Sequence, residues 1–552
     1  MPEQFDIIVI GGGCNGTGIA RDCAMRGLKV LLIEKNDFSA GTTGASSGMI
    51  HGGPKYLMSD VKTTKLSSQD AGYIRKIAPH LCFRTPFLYP EVRDDALWKK
   101  KIRLLLVDAY FQAYDRFSEL KGGKKHLRLT REETLNLEPG ISPDVVGSVT
   151  FDEWGIQTDR LCIANALAAH EYGAIIKNHT EVKKIRREGE TVIGLIAHDR
   201  RTDELLEYRA QIVFNATGPW VPQICDMAGV KIRLRPAKGI HLILDRRISN
   251  VAVVSKCIDG REIFFNPHDN RTLIGTTDDD YYGDLDNIPV TEDEVEYLLQ
   301  GMEQSYPEIR KARIVSTTRG VRPTLFGYGK SEDSLSREHK IFDHEKEDGL
   351  KGFLSMAGGK LAAYRQMSEE ASDLVCKKLG RHSRCTTHEV PLPGGDTIPL
   401  PQEVAKKFDL HPYIAERIIS RQGSHVETVL QSVSEKPEEK AVLCPCEPVT
   451  VCEIRHAIRE EWACTLGDLK RRTRFGMGSC QGAQCLLPAL AILEEENAGL
   501  SWLDQRGPLD ELRSFLEESW KARSPVLNGV QVAEEEILQI VYQGVFGLGV
   551  MK

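Results

Sequence analysis

The N-terminal 34 residues constrain the fold more than any other part of the chain. The apolar stretches at residues 6–10 and 30–33 are typical of buried parallel strands, and the residues between them predict a helix. Glu34 follows the second strand, and a Gly-x-Gly-x-x-Gly loop opens the helix with Gly11, Gly13 and Gly16. Such a loop lets backbone N–H groups approach a pyrophosphate, while the acid accepts hydrogen bonds from a ribose diol. The order of these features predicts a dinucleotide-binding βαβ unit.

Length and composition describe a modular globular protein. A chain of 552 residues is too long for one hydrophobic core, so roughly three or four domains are expected. Hydrophobic residues make up 41% and charged residues 27%, which excludes a disordered chain, and the net charge of −7 favours no nucleic-acid partner. Because no export signal precedes the first apolar stretch, the 14 cysteines are expected to be thiols or metal ligands in the cytoplasm. No apolar run reaches ~18 residues, so membrane attachment is expected to be peripheral.

The segment after Glu34 points to an extended cofactor. Residues 39–53 combine small residues, hydroxyl side chains and His51 just past the ribose-binding acid, a composition that suits close passage beneath a long ligand. Further strands of the same sheet are expected at four stretches, residues 180–182, 192–195, 211–218 and 353–360.

Several short motifs are similar to one superfamily of flavoproteins. The loop at 11–16, Glu34 and the turns at 216–218 and 358–359 resemble the glutathione-reductase-type FAD fold of the glycine and D-amino-acid oxidase superfamily. Within that superfamily, four segments resemble the FAD-dependent glycerol-3-phosphate dehydrogenases: residues 46–53, 236–241, 320–323 and 358–360.

The resemblance implies an α/β (α+β) protein in which an FAD-binding Rossmann-like fold carries an antiparallel-sheet substrate domain. It also implies that FAD contacts the following residues: Gly11, Gly13, Gly16, Glu34, Lys35, Thr42, Thr43, Ser46, Ser47, Val182, Ala216, Gly218, Gly358, Gly359 and Lys360.

The same residues offer the chemistry of alcohol oxidation. Hydride transfer from a secondary alcohol requires a base for the hydroxyl proton, and a phosphate monoester requires cations in fixed positions. Lys55 departs from the family, which more usually has arginine there, and lysine keeps the charge without bidentate recognition. The candidates for catalysis or substrate binding are His51, Arg322, Lys360, Lys55, His241 and Arg337, with Lys238 as a further cation.

Structural roles compete with these assignments. His51 is alternatively a packed structural histidine, and Arg322 and Lys360 are alternatively ion-pair residues. His241 either shares the role of base or lies in the core, because its neighbours are strand-like and apolar.

Four cysteines near the C-terminus predict a metal centre. Cys444 and Cys446 form a Cys-x-Cys pair, and Cys480 and Cys485 follow as a Cys-x4-Cys pair, which together supply four thiolates. The spacing resembles the ferredoxin domain related to bacterioferritin-associated ferredoxin, and this resemblance implies a [2Fe-2S] cluster held by these cysteines. A structural zinc site is the alternative. The basic run 470–474 is expected to offset the cluster charge or to receive an acidic partner.

Composition changes predict the domain boundaries. Residues 1–390 are expected to form the oxidoreductase, with a linker and helical segment at 391–440, a small helical cluster domain at 441–490 and a helical extension at 491–552. Within the oxidoreductase, the FAD-binding segments are about 1–80, 150–230 and 340–380, and the substrate-domain segments are about 81–149 and 231–339.

The stretch 94–118 predicts a separate helix with an apolar side and a basic start. It either caps the substrate domain or contacts an anionic membrane surface.

The fusion of both modules resembles the catalytic subunits of anaerobic, respiratory glycerol-3-phosphate dehydrogenases. That resemblance implies oxidation of sn-glycerol 3-phosphate to dihydroxyacetone phosphate, with electrons passing through the cluster to partner flavin and iron–sulfur subunits and then to quinone. It places the chain in the cytoplasm, peripheral on the inner face of the membrane through those partners. An FAD-dependent amine or 2-hydroxy-acid dehydrogenase with the same ferredoxin module is one alternative, and a non-enzymatic iron–sulfur redox or assembly subunit is another.

Overall fold

The computed structural model describes residues 3–54, 57–58, 61–93, 95–328, 338–497 and 501–548. Its strands, in chain order, are β1 (Glu3–Ile10), β2 (Val30–Ile33), β3 (Cys82–Pro90), β4 (Leu127–Thr130), β5 (Gly147–Ile156), β6 (Ile175–Lys177), β7 (Thr180–Glu188), β8 (Thr191–Asp199), β9 (Glu204–Asn215), β10 (Ala237–Leu244), β11 (Ala252–Lys256), β12 (Glu262–His268), β13 (Arg271–Gly275), β14 (Asp279–Asp280), β15 (Ile314–Arg322), β16 (His339–Asp343), β17 (Phe353–Gly358), β18 (Val442–Cys444) and β19 (Val449–Thr450).

The helices, in chain order, are α1 (Cys14–Met25), α2 (Val61–Ile77), α3 (Leu97–Tyr114), α4 (Ser118–Lys121), α5 (Arg131–Leu137), α6 (Thr158–Glu171), α7 (Val221–Ala228), α8 (Glu292–Glu303), α9 (His344–Asp348), α10 (Tyr364–Lys378), α11 (Pro401–Phe408), α12 (Pro412–Gln422), α13 (Val426–Leu430), α14 (Val451–Glu460), α15 (Leu466–Thr473), α16 (Leu486–Glu496), α17 (Ser501–Arg523) and α18 (Val530–Phe546). None of the helices in these ranges is both long and apolar enough to cross a membrane.

The first sheet carries the predicted βαβ unit. Its strand order is β16-β17-β9-β1-β2-β6, and β1 pairs in parallel with both β2 and β9. Strand β1 is buried along most of its length because helices α1, α6 and α10 cover one face and the β7–β8 hairpin and α7 cover the other. The prediction of a Rossmann-like FAD-binding fold is therefore confirmed in its architecture.

The second sheet forms the substrate domain. Its order is β14-β10-β13-β12-β11-β3-β5-β4, with β15 also paired to β10. The pairs are antiparallel as predicted, except that β3 and β11 run parallel. The structure also corrects one predicted boundary: residue 149 was expected to end a substrate-domain segment, but β5 continues without a break to Ile156 because it pairs with β3 over their whole length.

The C-terminal third is built from helices around two small cores. Helices α11 to α13 bury their own apolar side chains against one another, so residues 391–440 form a packed unit and not only a linker. Helices α14 to α16 surround the four cysteines, and α17 and α18 add Leu512, Phe515 and Tyr542 to the same core.

Buried ion pairs attach the cysteine domain to the first sheet. Asp37 lies three residues after Glu34 and is buried, and its carboxylate accepts hydrogen bonds from Arg471 (2.6 Å) and from Arg472. Arg160 of α6 pairs with Glu461 at 2.7 Å, and both side chains are buried. The expectation that the basic run 470–474 receives an acidic partner is therefore wrong, because Arg471 and Arg472 pair with Asp37 inside the interface between domains.

We expect Asp37→Ala to destabilise the protein by about 3–5 kcal/mol, because it leaves the guanidinium of Arg472 buried without its carboxylate. Urea denaturation measures this change in the free energy of unfolding. The control is Glu427→Ala at the exposed Lys407–Glu427 pair, which is expected to cost less than about 1 kcal/mol. Equal changes in the two variants would contradict the assignment.

Candidate functional site

A cleft of about 1150 Å³ lies between the two sheets and contains nearly all of the predicted site residues. That volume exceeds the usual range for a small ligand and suits a long cofactor together with a substrate. Lys55 and Arg337, two of the predicted cations, fall outside the described residues. The predicted residues that line the cleft are Gly11, Gly13, Glu34, Lys35, Thr42, Thr43, Ser46, Ser47, His51, Val182, Ala216, Gly218, His241, Arg322, Gly358, Gly359 and Lys360.

The glycine loop forms one end of the cleft. Gly11 has φ +114°, and a Cβ there would lie 2.7 Å from the carbonyl oxygen of Ala216, which directly follows strand β9. Gly16 does not line the cleft; a Cβ at this position would lie 1.9 Å from the Gly11 carbonyl oxygen, so this glycine permits close packing of helix and strand. The first turn of α1 has no side-chain cap at Gly13, and Gly13, Cys14 and Asn15 line the cleft, so the start of this helix lies where an anion site is expected.

Glu34 is held next to that loop. Its carboxylate accepts hydrogen bonds from the backbone N–H groups of Gly12 (2.6 Å) and Asn36 (2.8 Å). Burial raises the pKa of this carboxyl, and the two backbone donors oppose that shift. The Lys35 ammonium pairs with Asp286 and lies 4.3 Å from the centre of the Trp220 ring, and all three residues line the cleft.

Two hydroxyl groups of the following loop are used to shape it. Thr42 donates to the Val321 carbonyl oxygen (2.6 Å), and Ser46 donates to the Thr43 carbonyl oxygen (2.8 Å). Thr43 itself accepts a hydrogen bond from the backbone N–H of Cys14 at 3.2 Å. The loop is thereby fixed against the start of α1 and against β15.

The Gly358–Gly359 turn places Lys360 in the cleft. The two glycines have φ +80° and +86°, and Cβ atoms would lie 2.4 Å from the Glu338 carbonyl oxygen and 2.3 Å from the Met367 side chain. Only glycine meets both conditions without displacing neighbours.

His51 lies beside a buried ion pair that the sequence analysis missed. Glu153 pairs with Lys121 at 2.7 Å, accepts a hydrogen bond from the Tyr114 hydroxyl (2.6 Å) and accepts another from the Gly52 N–H (3.2 Å). The pKa of His51 is lowered to about 4, chiefly by burial; Glu153 opposes this shift, while Lys360 and Lys121 contribute to it. His51 is therefore neutral near pH 7 and able to accept a proton. The sequence contained one signal for this ion pair, namely two adjacent acidic residues, Asp152 and Glu153, inside an otherwise apolar strand.

His241, on strand β10 of the substrate sheet, also lines the cleft. Its Nδ1 is 3.2 Å from the Thr318 hydroxyl, and its Nε2 is buried with no hydrogen-bond partner among the described residues. Burial lowers its pKa to about 3, with a further contribution from Arg322. The structure thus brings both candidate bases into one cleft.

Arg322 and a second arginine flank one carboxylate. Arg322 donates to Asp278 at 2.8 Å, and Arg261, which also lines the cleft, pairs with the same carboxylate at 3.1 Å. Arg261 carries no local sequence signal and was not predicted. Lys238, predicted as a further cation, is absent from the cleft lining and pairs with Glu294 at 2.7 Å.

The four predicted metal-ligand cysteines lie together in two pairs. The sulfurs of Cys446 and Cys480 are 3.6 Å apart, and the neighbouring thiol of Cys485 lowers the pKa of Cys444. The Gly476 N–H points at the sulfurs of both Cys444 and Cys485. Within the described ranges, three other side chains, those of His179, Cys464 and Asp468, each bring one potential metal-ligand atom to within 4.8 Å of the other two.

Comparisons with known proteins place this geometry in a family. The family described as FAD dependent oxidoreductase matches residues 6–365, and the C-terminal domain of alpha-glycerophosphate oxidase matches residues 385–506. One subunit of the anaerobic glycerol-3-phosphate dehydrogenase of Escherichia coli (strain K12) is 35% identical over 550 residues, which are 99% of this chain and 97% of that protein. The chain belongs to the glycerol-3-phosphate dehydrogenase family.

Two further members of the glycerol-3-phosphate dehydrogenase family support the assignment. A subunit of the anaerobic enzyme from Haloferax volcanii is 33% identical, and the match covers 98% of this chain and 90% of that protein. The structure of the glycerol-3-phosphate dehydrogenase from Bacillus halodurans complexed with FAD superposes with a TM-score of 0.72 at 25% identity, covering 95% of this chain and 96% of that one. The prediction of an FAD-dependent oxidoreductase is confirmed by this membership.

Proposed function

We propose that this chain oxidises sn-glycerol 3-phosphate to dihydroxyacetone phosphate and passes the electrons through a [2Fe-2S] cluster to partner subunits and then to quinone. The observation that carries the proposal is the arrangement of the cleft: neutral His51 lies with Arg322, Arg261 and Lys360 around one space beside the glycine loop. The names of the relatives, which give this activity and describe single subunits of an enzyme, support the same substrate and an assembly of several chains.

The residues present fit FAD. The N–H groups at the start of α1, the Glu34 carboxylate and the Gly358–Gly359 turn would hold its pyrophosphate, its ribose and its ring end. FAD, when bound, supplies the two-electron acceptor for the hydride from C2 of the substrate.

The chain's own side chains perform the remaining steps. His51 accepts the hydroxyl proton because its pKa keeps it unprotonated at neutral pH. Arg322 and Arg261 bind the phosphate dianion as charge-assisted donors, while Asp278 fixes the direction of both guanidinium groups. Lys360 adds positive charge beside the reacting hydroxyl. The buried Glu153–Lys121 pair holds the strand and loop under His51.

The four cysteines support a metal centre, and their spacing in the chain favours a [2Fe-2S] cluster over zinc. A tetrahedral zinc site gathers four ligands around a single ion, whereas a [2Fe-2S] cluster takes two thiolates at each iron. The 3.6 Å between the sulfurs of Cys446 and Cys480 fits two ligands of one metal ion in either arrangement, so the preference for the cluster rests on the Cys-x-Cys and Cys-x4-Cys spacing. The cluster would supply a one-electron relay, and Gly476 would donate to its sulfur ligands.

We also propose that the chain lies in the cytoplasm, peripheral on the inner face of the cell membrane through its partner subunits. The relatives are named as individual subunits of a dehydrogenase, which supports an assembly of several chains.

Arg322→Ala is expected to lower kcat/KM for glycerol 3-phosphate by about 10- to 150-fold, because a charged hydrogen bond to the phosphate is lost. The rate with glycerol, which has no phosphate, should stay within about threefold. The control is Arg319→Ala on the same strand, where the side chain pairs with exposed Glu518 at 3.3 Å. Equal losses with both substrates would remove Arg322 from phosphate binding.

His51→Ala is expected to slow reduction of the flavin by glycerol 3-phosphate by about 10²- to 10⁴-fold in stopped-flow experiments. In the wild type, the rate should fall as the pH drops through about 4, where His51 becomes protonated and loses its capacity to accept a proton, separately from any change near pH ~6, where the substrate phosphate loses its dianionic form. His241→Ala is the matched comparison. If it shows the larger loss, His241 is the base.

Cys480→Ser is expected to destroy or alter the cluster, measured as iron content and EPR signal, while flavin reduction by substrate persists. Turnover with the native acceptor should fall, because the one-electron exit is lost. The control is Cys452→Ser in the same domain, since Cys452 hydrogen-bonds to Thr450 and lies outside the two pairs. Stoichiometric zinc in the wild type, or full acceptor turnover without iron, would overturn the relay.

A further inference from the structure

Helix α18 covers the cysteine cluster with one of its faces. Leu538 and Tyr542 pack into the core that contains Cys444, Cys446 and Cys485. The helix is thus part of the wall around the proposed cluster.

The opposite face of α18 is apolar and exposed to solvent. We define the outer stripe as Val530, Ala533, Ile537, Ile540 and Gly544, which follow one another at alternating intervals of three and four residues. Val530, Ile537 and Ile540 are 75%, 62% and 67% exposed, and the neighbouring Val545 is 71% exposed. A solvated helix normally carries polar residues on this face, so a continuous apolar stripe marks a surface that binds another molecule.

The helix is held in place before any partner arrives. Glu534 pairs with Arg313 at 2.5 Å, Glu535 pairs with Arg523 at 2.7 Å, and the Gln531 side chain donates to the Ile314 carbonyl oxygen at 2.8 Å. These contacts tie α18 to β15 and to the end of α17. A surface that is already ordered loses little conformational entropy on binding.

The sequence of α18 favours a protein helix as the occupant. Its residues include no lysine or arginine and three consecutive glutamates, Glu534 to Glu536, whereas helices that lie on anionic membranes carry basic residues. The 3–4 spacing of the outer stripe is the spacing that packs against a second helix, and the exposed Glu536 at its flank complements a basic side chain.

We propose that the outer stripe of α18 is the docking surface for the electron-accepting partner subunit, which packs an apolar helix with a basic flank along it. This inference rests on the proposed function. Cys446 and Cys480 are the half-buried pair of the four cysteines, and α18 packs against the core that contains Cys446, so a partner seated on α18 lies one helix away from the proposed cluster. The docked partner thereby shortens the path for electrons that leave the chain.

The test uses the complex purified from its source organism through an affinity tag on this chain. Ile537→Glu/Ile540→Glu places two charges on the outer stripe. The matched control is Ile102→Glu/Leu105→Glu, which makes the same change at exposed apolar residues of α3, on the substrate domain. Each preparation is assayed for retained subunits, for dye reduction with glycerol 3-phosphate and for turnover with the native quinone.

The α18 variant is expected to lose the partner subunits and to reduce quinone about 10-fold or more slowly, since central apolar anchors dominate interface affinity. Dye reduction and the iron–sulfur spectrum should remain at the wild-type level, and the α3 control should retain its subunits. Full subunit retention in the α18 variant, or loss in the control alone, overturns the proposal. If the double variant lacks its flavin spectrum, Ile540→Ala is scored in the same way.

Other occupants give different results. If sedimentation velocity shows that the isolated wild-type chain is a dimer and the α18 variant a monomer, a second copy occupies the stripe and the proposal is overturned. Binding of the wild type but not the variant to phosphatidylcholine–phosphatidylglycerol vesicles overturns it as well. If the wild-type complex reduces no dye with glycerol 3-phosphate, the proposed function is refuted. The docking proposal is then still tested, because retention of the partner subunits is measured independently of activity.

Discussion

The buried carboxylate of Asp37 and its two arginines are the contact on which the arrangement of the cofactor cleft and the cysteine domain depends. Asp37 follows Glu34 of the cofactor cleft by three residues, and Arg471 and Arg472 belong to the helix that lies in the chain between Cys446 and Cys480. Burying these charges costs several kcal/mol per ion, and the cost is offset only when each charge keeps its partner and its geometry. The position of the cysteine domain is therefore fixed to the loop that forms the cofactor cleft.

A second buried network joins three parts of the chain beside the cysteines. Asp269 of the substrate sheet pairs with Arg417 (2.9 Å) and Arg474 (3.1 Å), and Glu447, next to Cys446, pairs with Arg474 at 3.0 Å. With Arg271 at 3.7 Å from Glu447, three guanidinium groups face two carboxylates. The excess positive charge lies where four thiolates would add negative charge, and electrostatic attraction between them stabilises the docked domain.

Local patterns were sufficient for the parts of the molecule that depend on near neighbours in sequence. The βαβ unit and the glycine turns each rest on residues a few positions apart, and the Cys-x-Cys and Cys-x4-Cys motifs are equally local, although the structure brings Cys446 of the first motif to Cys480 of the second. The basic run failed as a predicted surface because Arg471 and Asp37 are 434 residues apart, a separation that leaves no local signal. Arg261 was missed and Lys238 misplaced for the same reason, since side-chain direction on the substrate sheet depends on long-range strand pairing.

The interface around Asp37 changes how the C-terminal third is to be regarded. Its resemblance to a small ferredoxin invites the view of an interchangeable electron carrier appended to a flavoprotein. Yet Arg160, Asn178 and His179 of the cofactor-binding domain donate to, or pair with, Glu461, Trp462 and Asp468 across the boundary. Cutting the chain near residue 390 would expose these charged and polar groups on the flavoprotein as well as on the excised piece. In engineering terms the cysteine domain is not portable: a fusion that transplants it would have to carry the matching half of the interface with it.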